Sequence, residues 1–419
     1  MKSREICKYI IYIVVSLLFM GCSLSEKEKN IVEDHLPDLE DIQKENDNEP
    51  PVEIIDPIKE QIKEMSIEEK IGQMIIVGIE GYTLDEKSRK LIEEEGVGGI
   101  IIFGKNVESP SQLLSLVNSL KEANSKNKNP LFVSVDEEGG RVSRMPKEVK
   151  KLSTNEEIGL LNNKELSYKI GAILAEELNI FGFNMNFAPV LDINSNPNNP
   201  VIGDRAFGVE PYIVSDLGIQ TMKGIQSGGI ISVIKHFPGH GDTSVDSHIG
   251  LPAIEHDIER LNSFELVPFR KAIEDGADTV MVAHILMSGI DSESPASLSK
   301  TIITGILRDQ LEFDGVVISD DLTMGAIIEN YDLGEAAIKA IDAGSDIVLV
   351  AHGFENGIAV INAMKEAIIS GRITEERLDE SIYRILRQKQ KYRITDNRIE
   401  NINVEDINNR IDEIMMNYY

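Results

Sequence analysis

The sequence predicts an α/β fold, a (β/α)8 TIM-type barrel in a single domain. Three observations predict it. Eight short apolar runs occur at 74–77, 99–103, 131–135, 185–191, 232–236, 279–283, 316–319 and 347–351. Each has the length and continuity of a strand buried on both faces, as in a parallel sheet. Helical patterns lie between most of them, including 165–181, 214–227, 258–275 and 334–343. Charged and polar clusters follow the third to seventh runs, where a parallel barrel gathers its working residues.

The chain opens with Lys2 and Arg4 ahead of an apolar run at 9–20, which is shorter than a typical membrane span. This run reads as an export signal. It ends in Leu18-Phe19-Met20-Gly21-Cys22-Ser23, which resembles a bacterial lipobox, although Phe19 and Met20 depart from the usual Leu and small residues. The expectation is a signal over 1–21, a lipid on Cys22, and a body outside the cytoplasm anchored to the cell membrane. An uncleaved helical anchor is the alternative. Cys7 lies inside the signal, so Cys22 is the one cysteine of the processed chain, which excludes structural disulfides and thiolate chemistry.

Residues 22–57 are rich in Glu, Asp, Asn and Lys, with Pro37, Pro50, Pro51 and Pro57. Such a composition buries too little apolar surface to fold, and it reads as a disordered acidic linker. Order is expected from Ile58, where Ser66-Ile67-Glu68-Glu69 has the pattern of a capping box. The barrel is expected over 58–393, with helical patterns at 357–370 and 375–392 closing it. Residues 394–419 are a C-terminal tail. The formal net charge of −29, with no basic stripe to offset it, argues against nucleic acid as a partner.

An internal echo supports a modular barrel. Residues 272–284 resemble residues 340–352, each reading as a helix end, a glycine turn, a strand, and then a histidine, His284 or His352. Convergence of similar turns on similar residues explains the echo equally well.

The strand-end clusters carry the chemistry. After the third run come Asp136, Glu137, Glu138, Gly139, Gly140 and Arg141, then Arg144. After the fourth, residues 196–203 lead to Asp204 and Arg205. The fifth run leads into Lys235-His236-Phe237-Pro238-Gly239-His240-Gly241-Asp242, followed by Asp246-Ser247-His248. His284 follows the sixth, and Asp320 and Asp321 follow the seventh. Bland loops rarely hold so many groups that are costly to desolvate. Each has a structural alternative. Asp320 or, better, Asp321 can cap a helix. Glu137 and Glu138 can brace their turn, His240 can shape its loop, and His284 and His352 can line or support a site.

Three of these motifs, Asp136 to Arg141, Lys235 to His248, and Ser319-Asp320-Asp321-Leu322-Thr323-Met324, together with residues 201–208, resemble glycoside hydrolase family 3. Within that family they resemble the NagZ-type β-N-acetylglucosaminidases. The similarity spans about 58–390 in consistent order, and Ala206 stands where the family commonly has serine. The resemblance implies a glycoside hydrolase with Asp320 as nucleophile, His248 as general acid/base and Asp246 as its dyad partner. It further implies that Asp136, Arg144, Arg205, Lys235 and His236 hold the N-acetylglucosamine unit, and that no metal or organic cofactor is needed.

These residue types suit retaining hydrolysis. One carboxylate attacks the anomeric carbon and a second group serves the leaving oxygen. Imidazole titrates near neutrality, so His248 can give a proton and then take one from water. The implied substrate is a glycan ending in β-linked N-acetylglucosamine, in muropeptides or chitooligosaccharides. Three other readings stay open: a β-glycosidase of other sugar specificity, a metal-dependent barrel hydrolase using His236, His240, Asp246 and His248, and a sugar-binding lipoprotein without catalysis.

Overall fold

The structure, a computed structural model, describes residues 56–247 and 250–418. The lipobox with Cys22, the linker as far as residue 55, and His248 lie outside the described residues.

The expected barrel is present. Its strands are β1 (Ile75–Gly78), β2 (Gly99–Ile102), β3 (Phe132–Val135), β4 (Met185–Asn186), β5 (Ile231–Phe237), β7 (Thr279–Val282), β9 (Val316–Asp321) and β10 (Ile347–Val350). They form one closed parallel sheet in the order β1-β2-β3-β4-β5-β7-β9-β10. Closure is made by β1 on β10, with Ile75 opposite Val348 and Val77 opposite Val350. Two further strands, β6 (Ala253–Ile254) and β8 (Leu286–Met287), pair beside the barrel in the loops after β5 and β7. They are too short to leave a periodic signal.

Local chemistry fixes several boundaries. Asp56 caps Pro57–Glu64 by accepting from the Ile58 N–H at 3.0 Å, with Pro57 at the position that needs no N–H. The Ser66–Glu69 capping box closes in both directions, at 3.1 and 2.8 Å. Asn163 caps the long helix Lys164–Phe181, and Gly182 ends it with φ +83°.

Two elements differ from expectation. The helix expected over 258–275 is broken into Ile258–Ser263 and Leu266–Glu274. Pro268 has no N–H for the Phe264 carbonyl and its ring crowds that oxygen, so the first helix stops there. The fourth strand, expected over 185–191, keeps its ladder only to Asn186 and touches β5 again at Val190, opposite Lys235. Pro189 cannot donate to a ladder.

The N-terminal mouth is devoted to stability. Buried Asp346 takes hydrogen bonds from Arg308 at 2.6 Å, Ser381 at 2.9 Å and Arg384 at 3.3 Å. Buried Lys389, from the last barrel helix Glu375–Lys391, reaches Gln73 Oε1 at 2.6 Å and the Pro130 carbonyl at 2.7 Å. The segment expected as a tail is tied down. Asp396 accepts from Asn124 and from the Leu131 N–H, and the helix Val404–Tyr418 buries Ile407 and Ile411.

Candidate active site

The C-terminal mouth holds a cavity of about 570 Å³. Asp136, Arg144, Arg205, Lys235, His236, Asp246 and Asp320 all line it. The structure thus brings together every described residue of the expected catalytic and sugar-binding set. Ile101, Phe187, Met281 and Leu349 give it apolar wall.

Lys235 and His236 are sequence neighbours at the end of β5, yet both line the cavity. A regular strand sends adjacent side chains to opposite faces. Here the β5–β7 register slips between Ile234 and Phe237, which frees both residues from that rule. Lys235 is almost fully buried, with Nζ 2.6 Å from Asp136 and 2.7 Å from Glu138. Glu138 also receives two bonds from Arg205, from Nε at 2.9 Å and from Nη2 at 2.7 Å. Burial alone raises the Glu138 carboxyl, but Arg205 and Lys235 overcome it and hold the group well below the usual carboxylate range. Glu138 is therefore the anionic centre that seats both cations. The sequence offered it only as a turn brace, because pairing across β3, β4 and β5 is invisible before folding.

Asp192, absent from the expected set, orients the histidines. Its carboxylate accepts from His236 Nδ1 at 2.6 Å and from the His240 backbone N–H at 2.6 Å. Arg205 Nη2 can only donate, so its 3.4 Å approach to His236 Nε2 leaves the proton on Nδ1. Burial, reinforced by the neighbouring His236, pushes His240 down to about 4. The neutral His240 ring meets Thr243 Oγ1 at 2.8 Å and Ser247 Oγ at 3.3 Å. Asp192 is thereby linked through His240 to the stretch carrying Asp246, and His240 has the structural duty foreseen for it. Asp192 directly follows the apolar run 185–191, so the strand-end rule could have found it. Gly241 allows this loop to pass the Ile193 carbonyl, because any Cβ there would overlap that oxygen.

Asp320 and Asp321 are the last two residues of β9 rather than following it, and neither caps the helix that comes next. Asp320 lines the cavity, and its Oδ1 accepts from the Asp321 N–H at 2.8 Å. Asp321 accepts from the Ala351 N–H at 2.9 Å and the Thr323 N–H at 2.9 Å, fastening β9 to the end of β10. His284 is buried and, among the described residues, is bonded within the scaffold, with Nε2 donating to the Asp321 carbonyl and Nδ1 meeting Ser297 Oγ. Among the described residues no group of three or more His, Cys, Asp or Glu has the arrangement of a metal site.

Glu137 is buried beneath the turn that delivers Arg144. Its Oε2 accepts from the Arg144 backbone N–H at 2.6 Å, and its own backbone is clamped by Asn186 at 3.0 and 2.8 Å. Burial pushes its carboxyl up to about 7, against the pull of the Arg144 N–H and the Ser143 hydroxyl. Buried Glu177 behind it is raised too, by burial and by Glu137.

A protein of known family stands behind this geometry. The model of the glycosyl hydrolase family 3 N-terminal domain matches residues 66–388. "Beta-hexosaminidase A" of Pseudoalteromonas piscicida is 36% identical over 333 residues, covering 74% of this chain and 56% of its own length. The chain thus spans little more than half of that relative. "Beta-hexosaminidase" of Nitrosomonas eutropha is 33% identical over 318 residues, covering 74% of this chain and 90% of its own. Among solved structures, the family 3 β-N-acetylglucosaminidase from Paenibacillus sp. str. FPU-7 superposes with a TM-score of 0.80 at 40% identity. It covers 84% of this chain and 69% of its own.

One prediction concerns Glu137. A carboxyl with a raised folded pKa binds more protons folded than unfolded, so stability falls as pH climbs from its ordinary 4.5 to about 7. Glu137→Gln keeps an acceptor for Arg144 and abolishes that titration. Between about pH 5 and about pH 8 the variant should lose less stability in thermal denaturation than the parent, by on the order of 1–3 kcal/mol. Equal losses would show that Glu137 is not the group responsible.

Proposed function

This chain belongs to glycosyl hydrolase family 3, and we propose that it is a retaining exo-β-N-acetylglucosaminidase. It releases the terminal non-reducing sugar from peptidoglycan fragments or chitooligosaccharides. The observation that carries this reading is the single cavity lined by Asp320, Asp246 and the whole described sugar-binding set. The names of the relatives support the sugar.

In the proposed mechanism Asp320 attacks the anomeric carbon and forms a glycosyl ester, while the leaving oxygen takes a proton from His248. Water then attacks the anomeric carbon, giving its proton to His248, and the bond to Asp320 breaks so that Asp320 departs as carboxylate. Asp246 orients the imidazole. A neutral base in place of a second carboxylate adds no negative charge beside the nucleophile. Asp136 gives one oxygen to Lys235, and its other oxygen meets no donor among the described residues, so a sugar hydroxyl can occupy it. Arg144 and Arg205 supply further donors at the wall.

The substrate and the acid/base are tested together. The chain should hydrolyse an aryl β-N-acetylglucosaminide at least about 100-fold faster than the aryl β-glucoside. His248→Ala should slow a disaccharide by about 10²-fold or more and an activated aryl glycoside far less. Preference for the glucoside would overturn the sugar assignment. Equal slowing of glycosylation for both leaving groups would remove His248 as proton donor.

We also propose that Cys22 carries the lipid that holds the enzyme on the outer side of the cell membrane, with the residues up to 55 as spacer ahead of the helix that Asp56 caps. The lipobox-like 18–23 segment supports this. The intact mass of detergent-extracted protein should correspond to a chain that begins at Cys22 and bears a diacylglyceryl group. A mass that includes the first 21 residues would establish the uncut anchor instead.

A further inference from the structure

We infer that Asn199 is a positioning residue, one that sets the acid/base stretch of the β5 loop against the turn that delivers Arg205. This rests on the hexosaminidase reading above and adds to it a side chain outside the sugar-binding set.

Asn199 belongs to the polar stretch after the fourth apolar run. Its neighbours Pro200 and Val201 line the cavity, whereas Asn199 itself is buried and is not part of the wall. Its side-chain amide is used to capacity. Oδ1 accepts from the Val201 and Ile202 N–H groups, both at 2.8 Å. Nδ2 donates to the His240 carbonyl at 2.8 Å and to Thr243 Oγ1 at 3.2 Å. Backbone N–H groups only donate and a carbonyl only accepts, so the amide can sit one way round.

The two ends of the amide serve different parts of the site. The oxygen holds the turn that carries Arg205. The Val201 carbonyl takes Arg141 Nη2 at 2.9 Å and Arg205 Nη1 at 3.3 Å, and the Ile202 carbonyl takes the Arg205 N–H at 3.0 Å. The nitrogen holds the start of the stretch that leads to Asp246. His240 is thereby gripped on both sides of its backbone, since Asp192 accepts its N–H. The far end of that stretch is tied to the nucleophile's loop, with the Ser247 carbonyl accepting from the Ala326 N–H at 3.1 Å. Asn196 adds a bond to the Thr243 carbonyl at 3.1 Å, but it is only half-buried. A planar amide of fixed width therefore sets the spacing between the group that grips the sugar and the loop that serves the leaving oxygen. Proton transfer needs the donor within hydrogen-bond reach of that oxygen, so this spacing bears on the acid step.

Two variants keep the turn and cut the bridge. Asn199→Asp retains an acceptor for Val201 and Ile202, and those N–H groups favour its ionised form, which donates nothing to His240 or Thr243. Asn199→Ser retains a hydroxyl for the turn but is too short to reach the β5 loop. In both, kcat/KM for N,N′-diacetylchitobiose should fall roughly 10- to 100-fold. For 2,4-dinitrophenyl β-N-acetylglucosaminide, whose leaving group needs no proton, it should fall less than about threefold. Turnover of that substrate also reports that a variant is folded. The inhibition constant of N-acetylglucosamine should stay within about twofold of the parent's, because the sugar's own donors are untouched. Equal falls on both substrates would overturn the inference, by making Asn199 a support of the sugar pocket or of the fold alone. Unchanged rates on both would overturn it as well. Failure of the parent enzyme on both substrates would instead overturn the hexosaminidase reading.

Discussion

The ion network of Lys235, Glu138, Arg205 and Asp136 is the constraint on which the mouth of this barrel depends. Two cations and two carboxylates balance, and three of the four side chains are nearly or fully buried. Such a network costs several kcal/mol per ion in lost hydration, and it is stable only when every charge is met. Here the cost is offset by short bonds, between 2.6 and 2.9 Å, that run between the ends of β3 and β5 and the loop after β4. The same contacts fix where the guanidinium and ammonium groups sit before any sugar arrives. A ligand therefore meets donors that need no reorganisation, which is the condition for polar groups to favour a transition state.

The barrel has two ends with different duties. At the N-terminal end, Asp346 with its arginines and Lys389 with its carbonyls lock helices to the sheet. At the C-terminal end, the charges are spent on the cavity. The near repeat of 272–284 in 340–352 shows the division at work on similar modules. Both form helix, turn and strand. His284 is buried in the scaffold, whereas His352 reaches the rim of the cavity.

Much of this was legible in the sequence, for physical reasons. Strands buried on both faces must be apolar throughout, so all eight appeared as continuous runs. Polar groups at their ends had no core to join, so Asp136, Lys235, His236 and Asp320 stood out. What was hidden depends on partners distant in sequence. Glu138 became central only once Arg205 and Lys235 lay beside it. Asp192 gained its role from His236 and His240, more than forty positions away. The break at Phe264 was readable from Pro268, but the surrounding apolar pattern ran straight through it. The packed C-terminus was obscured by its polar composition, since only Ile407 and Ile411 of its helix are buried.

The account turns on Asp320 as the atom donor to the anomeric carbon, and one measurement addresses it directly. A 5-fluoro derivative of N-acetyl-β-glucosaminyl fluoride slows departure of the sugar from the enzyme, so that the covalent species accumulates. Peptide mapping of the inactivated enzyme by mass spectrometry should place the sugar on the peptide bearing Asp320, with fragment ions assigning it to that residue. A sugar found on Asp246 or Asp136, or turnover with inverted product and no adduct, would contradict the account.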